Sequence, residues 1–130
     1  MTPTAADYLE KARNDLDESR KIAGIGLAAV AARSAYFAAF HAAEALIFER
    51  NGKIAKTHAG VRAEFARLTK EAAQEARALP TFLARAYTYK GISDYGVGGD
   101  AVVTLVEAKE AIENATRFVQ WVEAHLRSSD

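Results

Sequence analysis

Residues 26–50, GLAAVAARSAYFAAFHAAEALIFER, constrain the fold more than any other part of the chain. The segment has no proline, and its one glycine, Gly26, stands at the edge. Apolar side chains recur at Ala29, Ala32, Tyr36, Phe40, Ala43 and Ile47, in steps of three and four that draw one stripe along a helix. A second stripe, Val30, Phe37, His41, Ala45 and Phe48, runs at another angle on the same cylinder. A helix of this length spans about 37 Å. Being apolar on more than one side, it is predicted to be buried on more than one side. Among the polar residues that interrupt the apolar pattern, Arg33 and His41 are the first candidates for function.

The other segments are also helical in pattern. Alanine is abundant and strand signals are nearly absent, so the predicted class is all-α. Thr4 is read as the N-cap of a first helix, with Asp7 near its positive end. Tyr8, Leu9, Ala12, Leu16 and Ile22 form its buried stripe, and Asp15, Asp17, Glu18, Arg20 and Lys21 its solvated face. Gly24-Ile25-Gly26 gives a tight connection into the central helix, which stops at Asn51-Gly52. Thr57 caps a third helix with Val61, Phe65 and Leu68 inside and Arg62, Arg67 and Lys70 on a basic side. Residues 70–79 read either as a helical extension or as a loop. Pro80 suits a first helical turn, which sets a break between Thr69 and Ala78 and starts a fourth helix close to Leu79.

Along that fourth helix lie Phe82, Leu83, Ala86 and Tyr87, and Gly91 is expected to loosen its end. Gly96-Val97-Gly98-Gly99 reads as a linker: no GK[ST] and no preceding strand accompany it, as a phosphate loop requires. Asp100 is read as the cap of a long last helix with Val102, Val103, Val106, Ala108, Ile112, Ala115, Phe118, Val119, Val122 and Leu126 on its core face and Trp121 anchoring its end. The predicted architecture is an antiparallel up-and-down bundle of four main helices plus a short extra helix, in one domain over residues 1–130.

Seventeen Lys and Arg balance seventeen Asp and Glu, so nothing draws the whole chain toward nucleic acid; an RNA-binding surface has to be a local patch. Low net charge also eases self-association. The absence of cysteine removes disulfides, thiol catalysis and Cys-based zinc sites. The early charges of MTPTAADYLEKARND argue against a secretory signal, and no stretch of about 18 apolar residues lacks charge, so no membrane contact is expected and the location read from the sequence is cytoplasmic.

His41 and Glu44 are three apart on one helix face, but a metal site needs several such ligands meeting in space, and none is expected. Arg33 and His41 could act on a phosphodiester, the imidazole as general acid or base and the guanidinium on developing negative charge. Eight positions of helix separate them by about 12 Å along the axis and about 80° around it, so they can flank one groove. The alternative is architectural: a core histidine bonded to a neighbour and a packed, paired arginine. Lys90 and Asp94 are spaced to pair on a helix surface. Tyr87, Tyr89 and Tyr95 beside them either stack bases or seal one end of the bundle.

Three segments together resemble the HEPN-domain proteins, in particular the small stand-alone bacterial and archaeal members. They are Ala35-Tyr36-Phe37-Ala38-Ala39-Phe40-His41-Ala42-Ala43, then Lys56-Thr57-His58-Ala59-Gly60, then Ser93-Asp94-Tyr95. The resemblance spans residues 5–126. It implies a four-helix up-and-down bundle, frequently a homodimer, often paired with a minimal nucleotidyltransferase partner in toxin–antitoxin systems. It also implies RNA or nucleotide binding and, in active members, metal-independent ribonuclease chemistry that needs no cofactor. Carried onto this chain, the catalytic pair is Arg33 and His41, and the binding groove holds Tyr36, Phe37, Thr57, His58, Lys90, Asp94 and Tyr95. The family motif is an arginine followed after four to six residues by a histidine. Here seven residues separate Arg33 from His41, Ser34 stands at the usual arginine position, and Lys90 replaces another arginine. The alternative is a non-catalytic interaction or dimerisation module that binds a nucleotidyltransferase.

Overall fold

The computed structural model describes residues 1–96 and 102–128. These form α1 (Pro3–Gly24), α2 (Ala28–Asn51), α3 (His58–Thr69), a short 3-10 turn at Gln74–Arg77, α4 (Ala78–Tyr95) and α5 (Leu105–Ser128). The described residues contain no strand. The linker expected at Gly96-Val97-Gly98-Gly99 and the cap expected at Asp100 fall largely outside them; only Gly96 is described.

Long-range polar contacts fix the helix directions. The Thr2 amide donates to Glu49 at 2.7 Å, so the start of α1 meets the end of α2. Arg13 pairs with Glu123 at 3.0 Å and Arg20 donates to Thr116 at 3.2 Å, which sets α1 antiparallel to α5. Arg33 meets Asp94, so the first half of α2 lies by the end of α4. The result is an up-down-up-down bundle of α1, α2, α4 and α5, with the shorter α3 inserted between α2 and α4. α2 and α5 therefore run the same way, and Arg50 meets His125 near their C-terminal ends.

α2 packs against each of the other four helices, as its apolar pattern on several sides predicts. Ala31, Ala32, Ala35, Ala38, Ala39, Ala42, Ala43 and Ala45 are all buried. Their small side chains let neighbouring helices approach closely, while area burial depends on larger groups such as Tyr36, Leu46 and Ile47. Phe65 stacks on Phe118 with ring centres 4.7 Å apart, tying α3 to α5. Trp121 is half-buried and stacks on His125 at 4.8 Å.

Three helix ends differ from expectation. Thr2, not Thr4, caps α1: its hydroxyl accepts from the Ala5 amide at 3.2 Å, and Pro3 takes the first helical position, where a missing N–H is harmless. α4 runs past Gly91 to Tyr95 before Gly96 ends it in the left-handed region at φ 57°. α5 begins at Leu105, because Thr104 and Glu107 close a reciprocal capping box: the Glu107 amide donates to the Thr104 hydroxyl at 3.1 Å, and the Thr104 amide to the Glu107 carboxylate at 3.2 Å. Val103 is buried before the helix starts, whereas Val102 and Val106, expected in the core, are exposed.

Candidate functional site

Steps of four along α2 align Arg33, Phe37 and His41. The Arg33 guanidinium lies 4.7 Å from the centre of the Phe37 ring, and the His41 imidazole stacks with the same ring at 5.8 Å. Phe37 thus joins the two polar groups. Around this line α1 contributes Asp15, α3 contributes His58 and Arg62, and α4 contributes Tyr87, Lys90 and Asp94.

His41 Nδ1 lies 2.6 Å from Asp15 Oδ2. An ionised carboxylate only accepts, so Nδ1 carries the proton and donates. In the neutral ring, Nε2 then holds the lone pair. Nε2 is 3.9 Å from Glu44 Oε1, beyond hydrogen-bond reach. Burial pushes the Glu44 carboxyl above its ordinary range, against the opposing pull of His41 and Lys11.

At the other end of the line, Arg33 Nε donates to Asp94 Oδ1 at 2.5 Å, and Lys90 Nζ donates to Asp94 Oδ2 at 2.8 Å. One carboxylate thus serves two cations. The bond from Lys90 comes first among the causes that hold the Asp94 carboxyl below its usual range, with Arg33 adding to it. The Arg33 side chain is 38% exposed and that of His41 only 10%, so the site is open at the arginine and nearly closed at the histidine.

A second pair lies beneath. The Tyr36 hydroxyl is 2.6 Å from His58 Nδ1. Burial drives the Tyr36 phenol well above its ordinary range, partly offset by the neighbouring Arg62 guanidinium. Burial pushes His58 down, and Lys90, Arg62 and His41 add to the effect. Both directions favour neutral groups, so the phenol donates to an unprotonated imidazole nitrogen. Phe40 stacks on His58 at 4.5 Å, and Tyr87 approaches it at 5.3 Å.

Of the residues singled out from the sequence, Arg33, Phe37, His41, His58, Lys90 and Asp94 come together. Tyr36 is fully buried and supports the group from below. Tyr95 is exposed at the rim, its ring centre 5.9 Å from Lys90 Nζ. Thr57 lies apart in role: its hydroxyl accepts from the Gly60 amide at 2.9 Å and caps α3. A Cβ at Gly60 would stand 3.0 Å from that hydroxyl and 3.1 Å from Ala55 Cβ, so the Thr57-His58-Ala59-Gly60 run is a close-fitting helix start. Among the described residues, no group of three or more His, Asp or Glu side chains could hold a metal ion.

Asp15 was expected on a solvated face, and the structure corrects this: it is half-buried against α2. The signal was its spacing, seven residues from both Tyr8 and Ile22, which are half-buried on the same flank of α1. Arg62 and Tyr87 also belong to the site. Their guanidinium–ring contact, at 4.5 Å, has no counterpart in local sequence pattern.

A family model for the HEPN domain matches residues 5–125. The chain belongs to the HEPN family. No curated protein matches the sequence. The crystal structure of TT1696 from Thermus thermophilus is similar, with 26% sequence identity and a TM-score of 0.75, covering 95% of this chain and 98% of that one. Within this HEPN bundle, Ser34 donates to the Asp15 carbonyl oxygen at 3.1 Å. It thus bonds to α1 beside the carboxylate that orients His41. No described helix of this HEPN protein is long and apolar enough to cross a membrane.

Proposed function

We propose that this HEPN protein binds RNA along the α2–α4 groove and cleaves it without a metal. The observation that carries this reading is the line Arg33–Phe37–His41, with the His41 tautomer set by Asp15. In the proposed step, His41 Nε2 takes the proton of a ribose 2′-hydroxyl as the 2′-oxygen bonds to phosphorus. The bond from phosphorus to the 5′-oxygen breaks, leaving a 2′,3′-cyclic phosphate and a 5′-hydroxyl. Arg33 offsets the charge that builds on the phosphoryl oxygens. The 5′-oxygen takes its proton from a second acid, which a homodimer would supply as the second copy's own histidine. Family membership supports a role in a toxin–antitoxin-type pair with a nucleotidyltransferase partner, and co-purification with the product of the neighbouring gene tests that part.

The test of catalysis is incubation of purified protein with single-stranded and structured RNA in chelator, beside His41→Ala. Cleavage by the wild type alone supports the site, and equal cleavage by both removes it. A second reading, a non-catalytic interaction module, is favoured by the near-closure of His41 and by the cross-helix pairing of both polar residues. It predicts that His41→Ala lowers the melting temperature and leaves every RNA signal unchanged.

A further inference from the structure

The cations on the α2–α4 face are unequally partnered. Arg33 and Lys90 share Asp94. Arg62 has no ion-pair partner among the described residues; its guanidinium lies 4.5 Å from the centre of the Tyr87 ring. Its Nη1 is buried without a hydrogen-bond partner, although the guanidinium also lies beside the Tyr36 hydroxyl, whose pKa it draws down against burial. An arginine cannot shed its charge, so an unmet buried N–H on it is a standing cost. Tyr87, the residue over it, is partly exposed and also touches Tyr36 and His58. Arg33, Lys90 and Arg62 gather around the single carboxylate of Asp94 at the α4 side, while Asp15 sits on the α1 side against His41, so the α4 side carries more positive than negative side chains on a chain with no net charge.

We propose that Arg62 is a second phosphate-binding group of this groove, held under Tyr87 and swung out to a backbone phosphate of single-stranded RNA whose base stacks on the exposed face of Tyr87. This rests on the RNA reading above and adds a subsite to it. The swing exchanges an unsatisfied N–H for a charge-assisted bond, and a guanidinium can meet a phosphate with two parallel bonds. A base on the exposed side of Tyr87 would join an aromatic group in which His58 lies tilted against Tyr87 at 5.3 Å and Phe40 stacks on His58 at 4.5 Å.

The test is binding of a labelled single-stranded oligoribonucleotide across a salt series, in a His41→Ala background with chelator, with and without Arg62→Met. Loss of one phosphate contact predicts affinity about tenfold weaker and a salt slope shallower by about 0.7. The melting temperature of Arg62→Met is expected to hold or rise, because the orphaned donor is gone, and Arg62→Lys should restore the slope. Unchanged affinity and slope with a lower melting temperature would make Arg62 a packing residue and overturn the subsite. If the parent protein binds no RNA, the groove reading itself fails, and inorganic pyrophosphate then decides the subsite. A melting shift in the parent that Arg62→Met abolishes sustains it, and no shift in either overturns it.

Discussion

His41 Nδ1 and Asp15 Oδ2 meet at 2.6 Å across the α1–α2 interface, joining the histidine in the middle of α2 to a carboxylate on a different helix. The bond gives the imidazole one tautomer and leaves Nε2 free of any hydrogen bond to Glu44. Asp15→Ala removes the acceptor and leaves a buried N–H unpaired, so it should cost about 1–3 kcal/mol of stability. Because the two side chains touch, Asp15→Ala and His41→Ala should be non-additive by at least about 0.5 kcal/mol in a double-mutant cycle followed by denaturant unfolding. Additive losses would mean that the pair contributes no coupling.

Stability should fall as pH drops below about 6.5. His58 and His125 both titrate below their ordinary value in the folded chain, mainly through burial, with Lys90 and Arg62 acting on the first and Arg50 on the second. The unfolded chain therefore binds protons first as pH falls, which favours unfolding until the folded pKa is passed. The contribution is fully present above about pH 6.5 and lost through the folded values. Melting temperatures measured from about pH 7.5 to about pH 5, a range that brackets the ordinary histidine value, should show this decline, and His58→Gln should flatten it.

Lys90→Met should raise the His58 pKa toward its ordinary value, because Lys90 is the leading charge acting on it. An NMR titration of the His58 ring reads this directly. A titration that does not move would place Lys90 too far from the imidazole to matter.

Asp94→Asn should strengthen RNA binding several-fold while changing the melting temperature little. The substitution frees Arg33 and Lys90 from a shared carboxylate at the exposed end of the groove and so raises the positive charge offered to phosphate. Salt-dependent oligonucleotide binding checks it. Weaker binding would mean that Asp94 holds the two cations in their binding geometry.

Gly60→Ala should destabilise the chain by about 1 kcal/mol or more, comparable to loss of the Thr57 cap. The added methyl would crowd both Thr57 and Ala55. Thermal unfolding of Gly60→Ala beside Thr57→Ala measures both effects.

The helices and the burial of α2 were legible in the residues themselves. Periodicity, proline placement, the Thr57 cap and the Gly52 stop act within about four residues, and such short-range signals need no tertiary partner. The family was legible too, through three short motifs in order. What local pattern misjudged were the starts of α1 and α5: Thr2 with Pro3, and Thr104 with Glu107, each form a better start than the residues first favoured. The site pairings were decided only by the fold. Arg33 finds Asp94 sixty-one residues away, and His41 finds Asp15 twenty-six residues back. Tyr87 covers Arg62 only because α4 returns alongside α3. Such contacts depend on the rotation and register of one helix against another, which core packing fixes and no single stretch of sequence encodes.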